Sequence, residues 1–387
     1  MIRPCPVTAD DYRALARGRL PRFLFDYVDG GAGEERTMVS NATDWAAMTL
    51  RQRVLVDVDG VDTSATLAGE ACRMPLALAP VGLAGIMARR GEAQAARAAQ
   101  AASVPFTLST VGICPLDEVA AASGGPFWFQ LYMLRDRGIV EALLARAWET
   151  GSRTLVFTVD LPLAGMRHRD PRNGMSLSGF RPKLLKLEHL LTRPGWIWNV
   201  ALRGKPLVFG NLAEHVPAAR DLNGMRAFIE AQFDPTVTWT DIAWLRSLWQ
   251  GRLLLKGILD EDDARQAVQA GADGIVVSNH GGRQLDGAAS TAASLPAIAR
   301  AVGTEIEVLV DGGVRSGVDV FRAVARGARG VMIGRPWVWA LAGGGEANLR
   351  ALLATWQQEL HTTMALCGVT RVADIDASHL DEAHRSG

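Results

Sequence analysis

Residues 272–287 read ADGIVVSNHGGRQLDG. The run 275–277 is apolar and β-branched, and the chain then passes abruptly to Ser278, Asn279, His280, two glycines, Arg283 and Asp286. A continuous apolar run of this length is the mark of a parallel strand buried on both faces. An ionisable cluster softened by glycine straight after it means that the strand opens onto something polar at its C-terminal end. The same grammar recurs along the chain. MPLALAP (74–80) precedes GEAQAARAAQAA (91–102), VPFTLST (104–110) precedes PLDEVAAAS, and PFWFQLY (126–132) precedes RGIVEALLARAWETG. RTLVFTVD (153–160) leads into a long insertion, and GRLLLKG (251–257) precedes DEDDARQAVQAG. EIEVLVDGG (305–313) precedes SGVDVFRAVARG, and RGVMIGR (329–335) precedes a closing helical region. With 272–279 these make eight strand–helix units, which predicts an α/β chain folded as a (β/α)8 TIM barrel. The division expected is one domain over 1–387. It has an N-terminal helical extension over 1–70, the barrel over 71–170 and 240–365, and an insertion over 171–239 after the fourth strand. A doubly wound open sheet is the alternative; it would normally carry G-x-G-x-x-G after its first strand, which APVGLAG (79–85) does not supply.

Composition removes several classes of function. Lys+Arg and Asp+Glu are each 41 in the 387 residues, so no global charge points to nucleic acid or to an acidic partner. Cys5, Cys72, Cys114 and Cys367 are far apart and form no C-x-x-C pair, which reads as reduced thiols in a cytoplasmic protein. The opening MIRPCPVTADDYRALARGRL has no apolar core of a secretory signal, and no stretch reaches the length of a membrane span.

In a barrel the reacting groups sit at the C-terminal ends of the strands. Those ends carry Pro80, Val81 and Gly82; Ser109; Gln130 and Tyr132; Thr158 and Asp160; Lys256; His280 and Arg283; Asp311, Gly312 and Gly313; and Gly334 with Arg335. An isolated histidine at a strand end is usually structural, and a lone DGG could be any tight turn. Polar residues stopping at the same place in every unit are a different matter, and they converge on one mouth. The set contains no His/Asp ligand cluster, so no metal is expected and a metal-dependent hydrolase is disfavoured.

SNHGGRQLDG, VDGGVRSGVDVFRAVARGARGVMIGRP, WFQLYMLRDRG and LPRFLFDYVDGGAGEE together resemble the FMN-dependent L-2-hydroxy-acid oxidising family. That family includes glycolate oxidase, L-lactate dehydrogenase and (S)-mandelate dehydrogenase. The likeness keeps the motif order from about Tyr12 to the C-terminal helix. LRQRVLVDV, APVGLAGIMARRGE and FTLSTVGICP are most similar to the bacterial respiratory L-lactate dehydrogenase branch. The resemblance implies FMN as cofactor and a small 2-hydroxy acid as substrate. It implies that Arg167 and Arg283 bind the substrate carboxylate, where a guanidinium fork suits a planar anion. His280 is then the base, Asp160 its partner, and Tyr27 and Tyr132 face the substrate. For the flavin it implies Pro80, Val81 and Gly82 near N5, Lys256 beside N1 and O2, and Ser109, Gln130, Thr158 and Ser278 at the ring edge. Asp311 would take the ribityl hydroxyls, Arg315 would lie near the flavin, and Gly312, Gly313 and Gly334 with Arg335 would hold the phosphate. Position 111 is Val where glycolate oxidases carry Trp, and position 82 is Gly where they carry Ala. Both changes are expected to open space, so L-lactate is the first substrate expected and (S)-mandelate or another aromatic 2-hydroxy acid the second. A flavin-binding peptide-modifying protein is the reading from another class; the complete substrate set speaks against it. A quinone or another respiratory carrier is the expected acceptor, with dioxygen the alternative, and the resemblance implies a homotetramer.

Within the insertion, 181–205 holds six Lys/Arg and one Glu. Leu184, Leu187 and Leu191 fall on one helical face, and Trp196 and Trp198 follow. This predicts either a peripheral membrane contact on the inner face of the cell membrane, or a lid or subunit contact. Trp239, Trp244 and Trp249 are expected in the core.

Overall fold

Strands that show no polar face must be covered on both sides, and the chain meets that demand with a barrel wrapped in helices. The computed structural model describes residues 5–175, 179–204, 207–215 and 231–381. Eight parallel strands are β1 (Leu76–Leu78), β2 (Thr107–Ser109), β3 (Trp128–Leu131), β4 (Thr154–Thr158), β5 (Arg252–Ile258), β6 (Gly274–Val277), β7 (Glu307–Asp311) and β8 (Gly330–Ile333). They pair in the order β1-β8-β7-β6-β5-β4-β3-β2. The ring closes between β1 and β2 through a parallel bridge, Leu78 to Phe106, and Leu78 N donates to Pro105 O at 2.8 Å.

Alternation along each strand divides two apolar sets. Ala77, Trp128, Val156, Leu254, Val276, Leu309 and Met332 fill the barrel interior. Their neighbours, such as Leu78, Phe129, Leu155, Leu255, Ile275, Val310 and Ile333, pack outward against the helices. Both directions are apolar, which is why the strands read as unbroken runs. A short hairpin, Ala65–Leu67 with Glu70–Cys72, plugs the N-terminal end of the barrel. Glu70 accepts from Trp128 Nε1 at 3.1 Å there.

Three helices precede the barrel: α1 (Ala9–Arg19), α2 (Arg22–Asp29) and α3 (Arg36–Ala47). Helix α1 starts with a capping box between Thr8 and Asp11 and lies along the C-terminal helix Arg335–Cys367. That last helix is broken at Gly344 and Gly345, which leave helical geometry. The other two extension helices come to the mouth of the barrel. Asn41 of α3 exchanges a reciprocal amide pair with Asn279 after β6, at 2.8 and 2.9 Å, and Trp45 Nε1 donates to Gly312 O after β7 at 2.9 Å.

After β4 the insertion contains a helix, Phe180–Leu191, and a further helical stretch ending at Leu202. Residues 176–178, 205–206 and 216–230 of the insertion, Lys205 among them, lie outside the described residues. Trp249 is buried, whereas Trp239 and Trp244 pack against the core while staying partly exposed.

Candidate active site

The mouth is built where the apolar strands stop. Beyond β6 the backbone takes three successive left-handed residues, His280 (φ 57°), Gly281 (φ 64°) and Gly282 (φ 72°). Two of the three are glycine for a steric reason. A Cβ at Gly281 would stand 2.8 Å from Arg335 Nη1, and one at Gly282 would stand 2.5 Å from the Met38 backbone nitrogen. The third, His280, tolerates the left-handed conformation as a sparsely populated state held by its surroundings. Its N–H donates to Ser278 Oγ at 3.1 Å, and its Nδ1 lies 2.9 Å from Asp160 Oδ1 at the end of β4. A carboxylate accepting at Nδ1 leaves Nε2 as the basic nitrogen. Burial disfavours the Asp160 charge, but His280 and then Lys256 outweigh it and hold this carboxyl below the ordinary range. The second oxygen, Asp160 Oδ2, is buried without a hydrogen bond among the described residues.

Lys256 is buried at the end of β5. Burial opposes its charge; Asp311, 3.0 Å away, and Asp160 more than compensate, so its ammonium is held above the ordinary lysine range. Its Nζ also donates to Ser278 Oγ at 3.0 Å.

Helix α2 closes the mouth from above. Arg283 Nη1 donates to Tyr27 O at 2.6 Å and to Gly30 O at 2.9 Å, and its guanidinium lies 5.1 Å from the Tyr27 ring centroid. Arg167 approaches the same ring at 5.8 Å. Burial, and then the charge of Arg167, push the Arg283 guanidinium down to about 10. Two like charges held close together at a partly buried site favour an anion between them. Tyr132 is covered by Phe233, with ring centroids 5.3 Å apart, and burial pushes its phenol up.

Arg335 sits differently from the phosphate ligand that the sequence suggests. Its Nε donates to Val28 O and Asp29 O at 3.2 and 3.1 Å, Nη2 to Gly30 O at 2.8 Å, and Nη1 to Gly281 O at 2.7 Å. The guanidinium therefore caps the carbonyls at the C-terminal end of α2, where a positive charge is favourable. Its backbone N–H, at the start of the last helix, is a separate group.

One cavity of about 620 Å³ gathers Tyr27, Pro80, Val81, Gly82, Tyr132, Arg167, Lys256, His280, Arg283, Asp311, Gly312, Gly313, Arg315, Gly334 and Arg335 on its wall. Asp160 stands behind His280 and does not line it. Ser109, Gln130, Thr158 and Ser278 are also set back from the wall. Three of them form a buried chain, in which Ser109 Oγ donates to Gln130 Oε1 at 3.0 Å and Gln130 Nε2 donates to Thr158 Oγ1 at 3.1 Å.

Several residues escaped the sequence reading. Glu92, fully buried, accepts from Gly85 N and Ile113 N, both at 2.9 Å, and so ties the loop after β1 to the loop after β2. Asn41, Trp45 and Phe233 reach the site from distant parts of the chain, and no local pattern marks them. Trp196 lines the cavity and donates from Nε1 to Ile86 O at 2.8 Å, whereas Trp198 is about half exposed. A Cβ at Gly82 would stand 2.7 Å from Val111 Cγ2. Positions 82 and 111 are thus one packing unit: Val111 occupies the side of Gly82 that a methyl group would need.

The chain matches the FMN-dependent dehydrogenase family over residues 16–382. It belongs to that family. It is 55% identical over 372 residues to the L-lactate dehydrogenase of Caulobacter vibrioides, an alignment covering 96% of this chain and 97% of the relative. It is 50% identical over 377 residues to the L-lactate dehydrogenase of Xanthomonas campestris pv. campestris, covering 97% of each. Among solved structures it resembles the monotopic membrane protein (S)-mandelate dehydrogenase, with a TM-score of 0.91 and 32% identity over 98% of this chain and 100% of that one. Mandelate oxidase with (S)-4-hydroxymandelic acid gives a TM-score of 0.84 and 38% identity over 97% and 98%. As a member of this family the chain is an FMN-dependent oxidoreductase acting on 2-hydroxy acids.

The residues present fit an FMN. Asp311 Oδ1 is buried without a hydrogen bond among the described residues, which leaves an acceptor for a ligand hydroxyl. The wall carries six Lys/Arg against two Asp, an excess of positive charge suited to a phosphate and a carboxylate together.

Proposed function

We propose that this enzyme oxidises L-lactate to pyruvate and delivers the electrons to a membrane quinone. The observation that carries the substrate reading is the shared cavity, in which the paired His280 faces the same space as two close arginines. Arg167 and the remaining edge of Arg283 hold the substrate carboxylate, with Tyr27 between them. Tyr132 donates to the substrate, its high phenol range keeping the proton on the oxygen. His280 Nε2 takes the hydroxyl proton, and Asp160 stabilises the imidazolium that results. FMN, when bound, takes up the two electrons that leave the substrate carbon. Lys256 supplies positive charge where the ring gains negative charge. Asp311 would accept from the ribityl chain, and the N–H groups of Gly312, Gly313, Gly334 and Arg335, with Arg315 nearby, would hold the phosphate. Pro80, Val81 and Gly82 would hold the flavin from the cavity wall, with Ser109, Gln130, Thr158 and Ser278 supporting it from behind.

(S)-Mandelate is the second reading. It is favoured by the mandelate enzymes among the similar structures. Anaerobic addition of L-lactate and then (S)-mandelate to the purified yellow protein decides between them. Rapid bleaching of the flavin band by L-lactate supports the first reading, and bleaching by (S)-mandelate alone supports the second.

Among the described residues no helix is long and apolar enough to cross a membrane. The proposed membrane contact is peripheral, on the cytoplasmic face, through 181–205. Exposed Leu184, Leu187, Leu191 and Trp198, flanked by exposed Arg181, Lys183 and Arg203, support it. Assembly as a homotetramer is proposed as well, supported by Val54 and Leu55, which are 73% and 104% exposed.

A further inference from the structure

Arg167 stands at the mouth with little to hold it. Its neighbour Arg283 is fixed by the carbonyls of Tyr27 and Gly30. The Arg167 guanidinium lies over the Tyr27 ring, and among the described residues no hydrogen bond or ion pair anchors it. The like charge of Arg283 repels it. Packing helps little, since Leu163 and Met166 are 75% and 73% exposed. The place of Arg167 is therefore set through the backbone on either side. Upstream, Gln284 Nε2 donates to Leu163 O at 2.9 Å, and Gly33 N donates to Met166 O at 2.8 Å. Downstream the tie is Arg169, in the short helix Arg169–Arg172. Its Nη1 donates to Asp29 Oδ2 at 2.9 Å, and its Nη2 donates to Glu35 Oε2. Asp29 is buried and also accepts from Nε and Nη2 of Arg13, at 2.6 and 2.8 Å. Burial disfavours the Asp29 charge, but Arg13 and then Arg169 outweigh it and hold this carboxyl below the ordinary range.

We infer that Arg169 is a positioning residue for the substrate carboxylate: its fork joins the 163–173 strap to Asp29 and Glu35 of the N-terminal extension, and so holds Arg167 against Arg283. The inference rests on the proposed binding of a 2-hydroxy-acid carboxylate by Arg167 and Arg283. Arg169 does not line the cavity, so it acts through the residue two positions before it. A guanidinium spanning two carboxylates fixes direction as well as distance, which the point charge of a lysine does not. The tie is also largely shielded: the side chains of Arg169, Asp29 and Glu35 are 27%, 1% and 19% exposed, so salt screens it weakly. Without it, Arg167 is free to swing away from the charge of Arg283. Carboxylate binding is then lost in the ground state and the transition state alike, while proton transfer to His280 is untouched.

The test is anaerobic stopped-flow reduction of the FMN-loaded enzyme by whichever acid bleaches it, L-lactate or (S)-mandelate. This separates the half-saturating concentration from the limiting rate. Arg169→Gln should raise half-saturation about tenfold and change the limiting rate less than about threefold. Arg169→Lys, which keeps the charge but not the fork, should fall between Arg169→Gln and wild type. With Arg167→Ala already present, adding Arg169→Gln should raise half-saturation less than about twofold further, because the residue it positions is gone. An equal rise in that background, or unchanged half-saturation in an Arg169→Gln that keeps its FMN, overturns the inference. Should Arg169→Gln not retain FMN, Arg169→Lys carries the same comparison. Arg167→Ala that binds the acid as tightly as wild type overturns the carboxylate reading itself. A weakened Arg167→Ala beside an unaffected Arg169→Gln overturns the positioning role alone.

Discussion

The strand-end mouth and the insertion after β4 handle exposure in opposite ways. At the mouth, groups that belong in water are buried. Lys256 and Asp311 are buried and Asp160 and Arg283 are partly buried, each held by a charge or a hydrogen bond from another strand or from α2. Along the insertion, groups that belong in a core are exposed, with Phe180 at 80% and Leu191 at 68%. Both departures cost stability if the protein is taken alone, through desolvation in one case and wetted apolar surface in the other. The difference teaches where partners are to be sought: an anion and a flavin at the mouth, an apolar phase at the insertion.

His280→Ala should separate the two regions most sharply. Flavin reduction by L-lactate is expected to fall by ~10²–10⁴-fold, the usual span for a general base, in anaerobic stopped flow. FMN content and vesicle association should not change. Near-normal reduction would show that another group at the mouth takes the proton.

Arg335→Gln tests whether the mouth depends on α2 being anchored. The variant should keep FMN through its backbone N–H but lose the cap on the helix carbonyls, at a cost of roughly 1–3 kcal/mol for groups left unsatisfied. Hydrogen exchange should rise in 22–30, and the KM for L-lactate should rise more than kcat falls, because α2 carries Tyr27 and receives Arg283. Unchanged exchange in 22–30 would break the proposed link.

Replacing Leu184, Leu187 and Leu191 with Ser addresses the insertion. Exposed sites contribute little to folding, within about ±0.5 kcal/mol each, so Tm should hold. Co-sedimentation with anionic vesicles at low salt should be lost, and the wild-type association should weaken as salt screens the basic residues. If wild type stays in the supernatant at both salt concentrations, the segment is a lid or a subunit contact. Deleting 181–205 would be a poorer test, because Leu190 and Trp196 belong to the cavity wall.

The smallest effect concerns packing within the mouth. Gly82→Ala should lower stability by ~1–3 kcal/mol through overpacking against Val111. Gly82→Ala with Val111→Ala should recover part of that loss, with a coupling of at least ~0.5 kcal/mol in thermal unfolding. Strict additivity would mean that the two positions do not share one space.

The sequence by itself determined the barrel and the strand ends at which the mouth is built. A strand covered on both faces must be apolar at every position, and a reacting group in this fold must follow such a strand. Both are local facts that 275–283 and seven similar segments display in order. Motif likeness then supplied residue roles that spacing could not. What only the tertiary structure decided are contacts between residues far apart in the chain. Arg335 turns to the carbonyls of α2 because Val28, Asp29 and Gly30 arrive there from some three hundred residues away. Gly82 and Val111 share one space, whereas the sequence treats them as two separate openings. The insertion could be read as amphipathic, but which tryptophan faces water could not. Trp196 is drawn inward by the Ile86 carbonyl, whereas Trp198 has no such partner among the described residues and lies against Arg203. Periodicity records which face of an element is apolar; it carries no information about which distant backbone group will be waiting there.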